Sequence, residues 1–165
     1  NVILRVQKVL LKILALINKP NTIANLAHFI TFYPFNKRFE TTETRHDWIS
    51  RNKQTLGEYI NDPLCGNIAS WGYFYTLNEL LLEIDNNKKW ESSNDLPPTL
   101  IMSGEFDALS NFGKKVVSRI KNKPNRFKEA MLHIIPKSRH KVEYDQNKDI
   151  VLSKIDMFLQ RINEQ

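Results

Sequence analysis

The sequence has little cysteine, no long apolar run and no initiating methionine. Cys65 is the only cysteine, which excludes an internal disulfide and a site of several thiolates and is typical of a reducing compartment. The longest apolar run, residues 9–17, is interrupted by Lys12 and is far shorter than the roughly 20 residues that span a bilayer. Because the chain begins with Asn1 inside an amphipathic pattern, we predict a truncated or processed part of a longer protein. We expect a cytoplasmic location with at most peripheral membrane contact.

The composition is that of a folded, basic domain. Its 165 residues are 41% hydrophobic and 10% aromatic, which is sufficient for one buried core and argues against a disordered chain. The formal net charge of +6 could favour nucleic acid or an anionic lipid surface. However, the basic runs at 114–115 and 121–123 lack the interleaved aromatic residues of a nucleic-acid-binding face. We predict no nucleic-acid partner, and a basic nucleic-acid-binding domain is the weakest alternative.

Apolar periodicity predicts helices in the first part of the chain. Residues 2–17 have apolar side chains at three- and four-residue steps, with Arg5, Lys8 and Lys12 between them. A shorter helix should begin near residue 21 or 22 and reach residue 30, in a segment that Pro34 breaks. One or two short helices are predicted within 40–61 and a longer one from about 69 to 84. Residues 85–95 are polar and form the best candidate boundary.

A group of aromatic residues follows the second predicted helix. Two interpretations are open: the group packs a loop onto the core, or it forms a wall for an apolar substrate. We favour the packing interpretation. The group consists of Phe29, Phe32, Tyr33, Phe35 and Phe39.

Beyond residue 96 the pattern predicts alternating strands and helices. Residues 99–102 and 131–135 are short, nearly continuous apolar runs, as in buried parallel strands. A helical pattern follows each run, so we expect parallel pairing with a right-handed crossover. Two parallel strands alone leave unpaired edges, so the missing strands must come from upstream residues or from association between copies. Self-association through the open edge is therefore expected.

Polar residues follow both predicted strands, where ligands of parallel sheets bind. Asp107 comes after the first strand and His140 after the second. An acid followed by a histidine fits the last two members of a Ser, Asp, His triad. Asp107 could instead cap the next helix, and His140 alone could be a solvated loop residue.

Other candidate residues are weaker. Cys65 as a nucleophile would need an adjacent histidine and an activated thiolate, and we interpret it as a small buried residue. His28 and His133 stand among apolar residues and are expected to pack in the core. The four histidines include no His-x-x-x-His pair, so no metal site is predicted.

Five segments together resemble one enzyme family. The chain resembles the later part of bacterial monoacylglycerol lipases and lysophospholipase-like α/β-hydrolases of the serine aminopeptidase-type superfamily. Each segment alone is weakly specific, but five in the right order are a strong signal. The segments are NKRF at 36–39, HDWISR at 46–51, DPLCG at 62–66, IMSGEFD at 101–107 and IPKSRH at 135–140.

The resemblance implies a partial α/β-hydrolase fold, helix-rich overall. Residues 1–95 would form the helical cap, and residues 96–165 the last two parallel strands and helices of the core. Asp107 and His140 would be the catalytic acid and histidine, acting on a lipid ester without a cofactor. The nucleophilic serine and the oxyanion hole would lie upstream, since no serine here stands in a Gly-x-Ser-x-Gly elbow. The chain alone is predicted to be inactive.

Three residues depart from the family pattern. Ala108 stands where proline is frequent, Phe106 where a second acid is common, and Asp145 roughly where a glutamate follows the histidine. These departures leave the substrate open. They also leave open the main alternative, a non-catalytic interaction module that keeps a hydrolase scaffold.

Overall fold

The computed structural model describes residues 2–40, 42–85, 97–122, 127 and 129–164. The chain forms two compact units, one of Asn1–Pro34 and Asn67–Ser92 and the other of Phe35–Gly66 and Ser93–Gln165. The polar connection predicted at 85–95 lies almost wholly outside the described residues. Across the described part, no helix combines the length and the apolar character that crossing a membrane requires.

The first unit is helical. Helix α1 (Val2–Asn18) packs along α4 (Trp71–Asp85), and most of α2 (Asn25–Asn36) belongs to the same unit. Backbone hydrogen bonds join Ala24 to Ala69 at 3.0 Å and Trp71 to Thr22 at 3.1 Å, which fixes the start of α4 beside the entry to α2. The periodicity predictions for α1 and α4 are confirmed. The buried core of the unit consists of Ala15, Ala24, Ala27, Trp71 and Phe74.

Helix α1 is apolar on two opposite faces. One face packs into the core through Leu11, Leu14 and Ala15. The other is exposed to solvent and lies about half a turn away, as the 3.6-residue period requires. Its side chains include Val2 at 77%, Val6 at 63%, Val9 at 60%, Ile13 at 49% and Leu16 at 72% exposure.

Helix α2 differs from its prediction at both ends. It begins at Asn25 and continues through Pro34 to Asn36, whereas the sequence pattern predicted an earlier start and a break at the proline. Proline has no amide hydrogen for the bond to the preceding turn. Since only two helical residues follow Pro34, the helix tolerates this loss in its last turn.

The second unit contains two parallel strands with helices between and after them. Strand β1 (Thr99–Gly104) pairs with β2 (Ala130–Ile135), from Thr99 opposite Ala130 to Gly104 opposite Ile135. Helices α5 (Lys114–Lys121) and α6 (Lys148–Asn163) follow the strands, and α3 (Lys53–Asn61) precedes them. The predicted strand–helix–strand–helix order with parallel pairing is confirmed. Within the described residues these strands pair only with each other, so each keeps one open edge.

A small apolar core holds α6 against the sheet. Ile135, Val142 and Val151 are buried there, and Met102 and Ile155 pack against them. Residues 35–66 belong to this second unit together with 93–165. The assignment of residues 1–95 to a cap over an active site therefore stays a prediction about function.

Gly104 allows the two strand ends to approach each other closely. A Cβ atom at this position would lie 2.1 Å from the Arg139 carbonyl oxygen and 2.3 Å from that of Ser138. No side chain fits between backbone atoms at these distances. The glycine is therefore required for the loop after β2 to fold across the end of β1.

We predict that Gly104→Ala lowers the free energy of unfolding by about 3 kcal/mol, because the methyl group must displace backbone atoms. Gly57→Ala is the matched control: Gly57 lies inside α3 with nothing within 4 Å of its Cβ position. That change should raise stability by about 0.5–1 kcal/mol through helix propensity. Urea unfolding followed by circular dichroism measures both, and equal stabilities for the two variants would contradict the close approach.

Candidate active site

The loops after β1 and β2 are bonded to each other. The amide of Glu105 donates to the Ile135 carbonyl at 2.9 Å, and the amide of Phe106 donates to the Ser138 carbonyl at 2.8 Å. These bonds extend the parallel pairing past the ends of the strands. They place the two loops that carry Asp107 and His140 side by side.

Asp107 and His140 form a hydrogen-bonded pair. The Oδ1 atom of Asp107 lies 3.2 Å from Nδ1 of His140 and also accepts the amide of Leu109 at 3.0 Å. Asp107 is buried, whereas the His140 side chain is 36% exposed. Among the described residues none is hydrogen-bonded to Nε2 of His140, so this atom is free to exchange a proton with another group. Asp107 does not cap α5, whose N-cap is Gly113.

The environment of Asp107 favours the ionised carboxylate. Burial alone would raise the pKa of Asp107, but the hydrogen bond and the charge of His140, with further bonds from Ser110 and Leu109, outweigh it. The pKa of Asp107 therefore lies below its ordinary value of 3.8. An ionised carboxylate only accepts hydrogen bonds, so Nδ1 of His140 carries the hydrogen of this bond, and the free lone pair of a neutral ring would lie on Nε2.

The segment 46–51 packs against the histidine loop. The Trp48 ring lies 5.3 Å from the imidazole of His140, centroid to centroid, at an interplanar angle of 39°. The amides of His140 and Lys141 donate to the Trp48 and Ile49 carbonyls at 3.4 and 2.9 Å. The imidazole is therefore held on one edge by Asp107 and contacted by Trp48. Sequence reasoning had found this segment only as a family motif, with no function.

Asp145 is hydrogen-bonded to both of these segments. Its carboxylate is fully buried, at 0% exposure. One oxygen accepts the amides of Arg51 at 3.0 Å and Gln146 at 2.8 Å, and the other accepts the amide of Arg139 at 2.6 Å. Sequence reasoning noted Asp145 only as a departure from the family pattern, because nothing local to the residue predicts its bond to Arg51, which is distant in the chain.

The Arg139 side chain crosses the same region. Its guanidinium donates to the carbonyls of Asp47 and Ser50 and lies 4.2 Å from the centre of the Phe39 ring. Burial lowers the pKa of Arg139, and the nearby charges of Asp47 and Asp145 counter that effect. The side chain thus satisfies carbonyl groups that the loop at 46–51 would otherwise bury unpaired.

The other candidates do not join this site. Partial burial and a hydrogen bond to Asp62 raise the pKa of the Cys65 thiol, which disfavours the thiolate a nucleophile needs. Burial lowers the pKa of His133, whose Nε2 is buried without a partner on the face of β2 that meets α6. In the described ranges, no group of three or more histidine, cysteine or acidic residues could bind a metal.

The predicted aromatic group is divided between the two units. Phe29 stacks on Tyr33 at 4.5 Å in the first unit, where both side chains are exposed. In the second unit Phe35 packs on Trp48 at 5.6 Å, and Phe39 meets the edge of Phe112. The packing interpretation therefore holds for the second set and for Phe32, which packs against the core of the first unit, whereas Phe29 and Tyr33 form an exposed surface.

Comparisons with known proteins agree with this architecture. A family model described as serine aminopeptidase, S33, matches residues 3–147. A highly thermostable carboxyl esterase from Bacillus coagulans, solved with glycerol, matches with a TM-score of 0.75 and 18% identity, over 98% of this chain and 52% of the esterase. A lipase in its open form matches with a TM-score of 0.72 and 20% identity, over 88% of this chain and 48% of the lipase. No curated protein matches the chain significantly.

These matches establish the fold and show how much of a matching protein the chain covers. At such low identity the structural likeness concerns the fold alone, and the predicted partial α/β-hydrolase fold is confirmed. The chain spans about half the length of the solved structures that it matches. The catalytic roles of Asp107 and His140 stay predictions.

We predict that the Asp107 carboxylate stabilises the fold above about pH 4 and that this contribution is lost in acid. Between its lowered pKa and the ordinary value of 3.8, the unfolded state binds more protons, so stability rises with pH. At neutral pH Asp107→Asn should cost about 1.5–3 kcal/mol, the scale of a hydrogen bond to a charged group. The gap between the two proteins should narrow as the pH falls through the pKa of Asp107.

Urea unfolding at several pH values measures this gap. Asp149→Asn, an exposed acid in the first turn of α6, makes the same chemical change without a buried partner and is the control. A gap between wild type and Asp107→Asn that does not change with pH would refute the stabilising role of the charge.

Proposed function

Because the chain belongs to the serine aminopeptidase S33 family, we propose that it is the C-terminal part of a serine hydrolase that cleaves carboxylic esters of glycerides or lysophospholipids. The observation that carries the proposal is the bonded Asp107–His140 pair at the carboxyl ends of two adjacent parallel strands. This is the edge where ligands of open parallel sheets bind. In this proposal Asp107 and His140 act as the acid and the base, and the nucleophile comes from upstream.

The proposed reaction uses the two nitrogens of His140 separately. Nε2 takes the proton of the upstream serine hydroxyl as its oxygen bonds to the ester carbonyl carbon, giving a tetrahedral intermediate. Asp107 accepts the Nδ1 hydrogen and stabilises the imidazolium. Nε2 then returns the proton to the leaving alcohol as the carbon–oxygen bond breaks. Water repeats the cycle on the acyl-enzyme, releasing the carboxylic acid and the free serine.

We propose that this chain is inactive without the upstream part. No serine in the 165 residues stands between glycines as an elbow requires. The oxyanion hole of such enzymes uses an amide beside the nucleophile. Both would therefore have to come from elsewhere, and the open sheet edge is the place where further strands would pair or copies would associate.

Lipid esters are proposed as the substrate class because the first unit exposes a large apolar surface. In addition to the exposed face of α1, helix α2 exposes Leu26 at 55%, Phe29 at 55% and Ile30 at 59%. An exposed apolar helix face of this kind is typical of a binding site for an apolar partner.

We further propose that the exposed face of α1 contacts anionic lipid surfaces. Residues 2–34 include four lysines or arginines and no acidic residue. Arg5 and Lys12 stand four residues before Val9 and Leu16, so each lies beside an exposed apolar side chain on the helix surface. Basic residues bordering an apolar helix face are typical of helices that lie in a membrane interface.

The catalytic proposal is tested on the parent protein, encoded from upstream of Asn1, with a fluorophosphonate probe that labels activated serines. We expect labelling of a serine in a nucleophile elbow. His140→Ala should lower the rate by about 10⁴-fold, the scale of triad substitutions in other serine hydrolases. His28→Ala, in the first unit, should label like wild type. An upstream sequence without an elbow, together with no labelling, would instead favour a non-catalytic interaction module. Labelling unaffected by His140→Ala would contradict the proposed role of His140 as the base.

The membrane proposal is tested by sedimenting this chain with vesicles of phosphatidylcholine alone or mixed with phosphatidylglycerol. Binding to the anionic vesicles is expected, and Arg5→Gln with Lys12→Gln should weaken it by about 1 kcal/mol per charge, or about fivefold each. Val9→Gln with Ile13→Gln should abolish it. Lys148→Gln, in the second unit, is the charge control. Equal binding to both vesicle types, or none, would be evidence against the surface, and velocity sedimentation without lipid would reveal self-association instead.

A further inference from the structure

Asp145 is a buried charge that the proposed reaction does not use. Its side chain is fully buried, and within the described residues its three hydrogen bonds go to backbone amides and none to Asp107 or the His140 ring. Burying a carboxylate is costly unless hydrogen bonds replace its water. Because the bonds that replace the water come from backbone amides, this carboxylate holds a specific backbone geometry.

Two of the three partners of Asp145 belong to the segments around His140. Arg139, whose amide it binds, directly precedes His140 in the chain. Arg51, whose amide it also binds, ends the segment whose Trp48 ring contacts the imidazole. Asp145 is thus bonded to the loop that carries the histidine and to the segment that packs on it.

Neighbouring bonds reinforce the same connection. The Ser50 hydroxyl donates to the Tyr144 carbonyl at 3.0 Å, and the Gln146 amide group donates to the Arg51 carbonyl at 3.2 Å. The Arg51 guanidinium reaches the Lys137 carbonyl at 3.0 Å. All of these bonds link residues 50–51 with the loop after β2.

We propose that Asp145 is a positioning residue, which fixes the loop after β2 so that Nδ1 of His140 faces Asp107 and Nε2 faces the substrate. The assignment to catalysis rests on the proposed function, but the geometric statement can be tested on this chain alone. The Asp107–His140 distance of 3.2 Å is long for a bond to a charged group, so a small displacement of the loop would break it.

The test is the tautomer of neutral His140, read from its ring nitrogen resonances by NMR. Wild type should hold the hydrogen on Nδ1, because the ionised Asp107 can only accept. Asp107→Ala gives the tautomer ratio of a His140 ring that has lost its hydrogen-bond acceptor. Asp145→Asn offers one acceptor oxygen where the carboxylate offered two, so at least one backbone amide loses its partner. We expect this variant to shift the tautomer ratio most of the way to that of Asp107→Ala.

Asp149→Asn controls for the lost charge and should keep the wild-type ratio. A folded Asp145→Asn protein with the wild-type ratio would overturn the proposal. If that variant does not fold, Asp145→Glu decides: its longer side chain moves the carboxylate relative to the three amides. A ratio shifted towards that of Asp107→Ala would then support the proposal, and a wild-type ratio would overturn it. Because the chain needs no serine for this measurement, its result is independent of probe labelling in the parent.

Discussion

The parallel register of β1 and β2 is the constraint on which the rest of the second unit depends. Pairing of Gly104 with Ile135 makes both strands end at the same edge. The next amides continue the bonding past the strand ends, and the missing side chain at Gly104 lets the second loop pass over the first. If the register shifted by one residue, Asp107 and His140 would no longer face each other, and the buried Ile135 would change faces.

The sequence predicted the parts of the site that follow from local pattern. Two apolar runs followed by polar residues are visible without any structure, and parallel pairing then brings Asp107 and His140 to one edge. The packing of residues 46–51 beside His140 could not be predicted this way. Ser50 and Arg51 in this segment bond to Tyr144 and Asp145, which lie 94 positions later in the chain. Periodicity and turn chemistry report on neighbours in sequence, so Asp145 was visible only as an acid in a loop. For α2, proline chemistry predicted a break that tertiary context moved to the end of the helix.

The two units use their apolar residues differently. In the second unit the largest aromatic side chains pack on one another or on Arg139, and the core holds α6 on the sheet. In the first unit two apolar stripes, on α1 and α2, remain exposed within the described residues. Residues 2–34, which carry those stripes, include basic residues and no acidic residue. This charge distinguishes the stripes from an apolar surface that would only pack into a protein core.

The discontinuous make-up of the second unit affects the order in which it can fold. Residues 35–66 and 93–165 belong together, but 67–92 lie between them in the chain and belong to the first unit. The bond from Arg51 to Asp145 closes a long loop, at an entropic cost that shorter closures do not bear. The strand pairing and the turns around Asp107 span far fewer residues and should form earlier. Docking of residues 46–51 would then be a late step, so the environment of His140 would be the last part of the unit to become ordered and the first to loosen under denaturing stress.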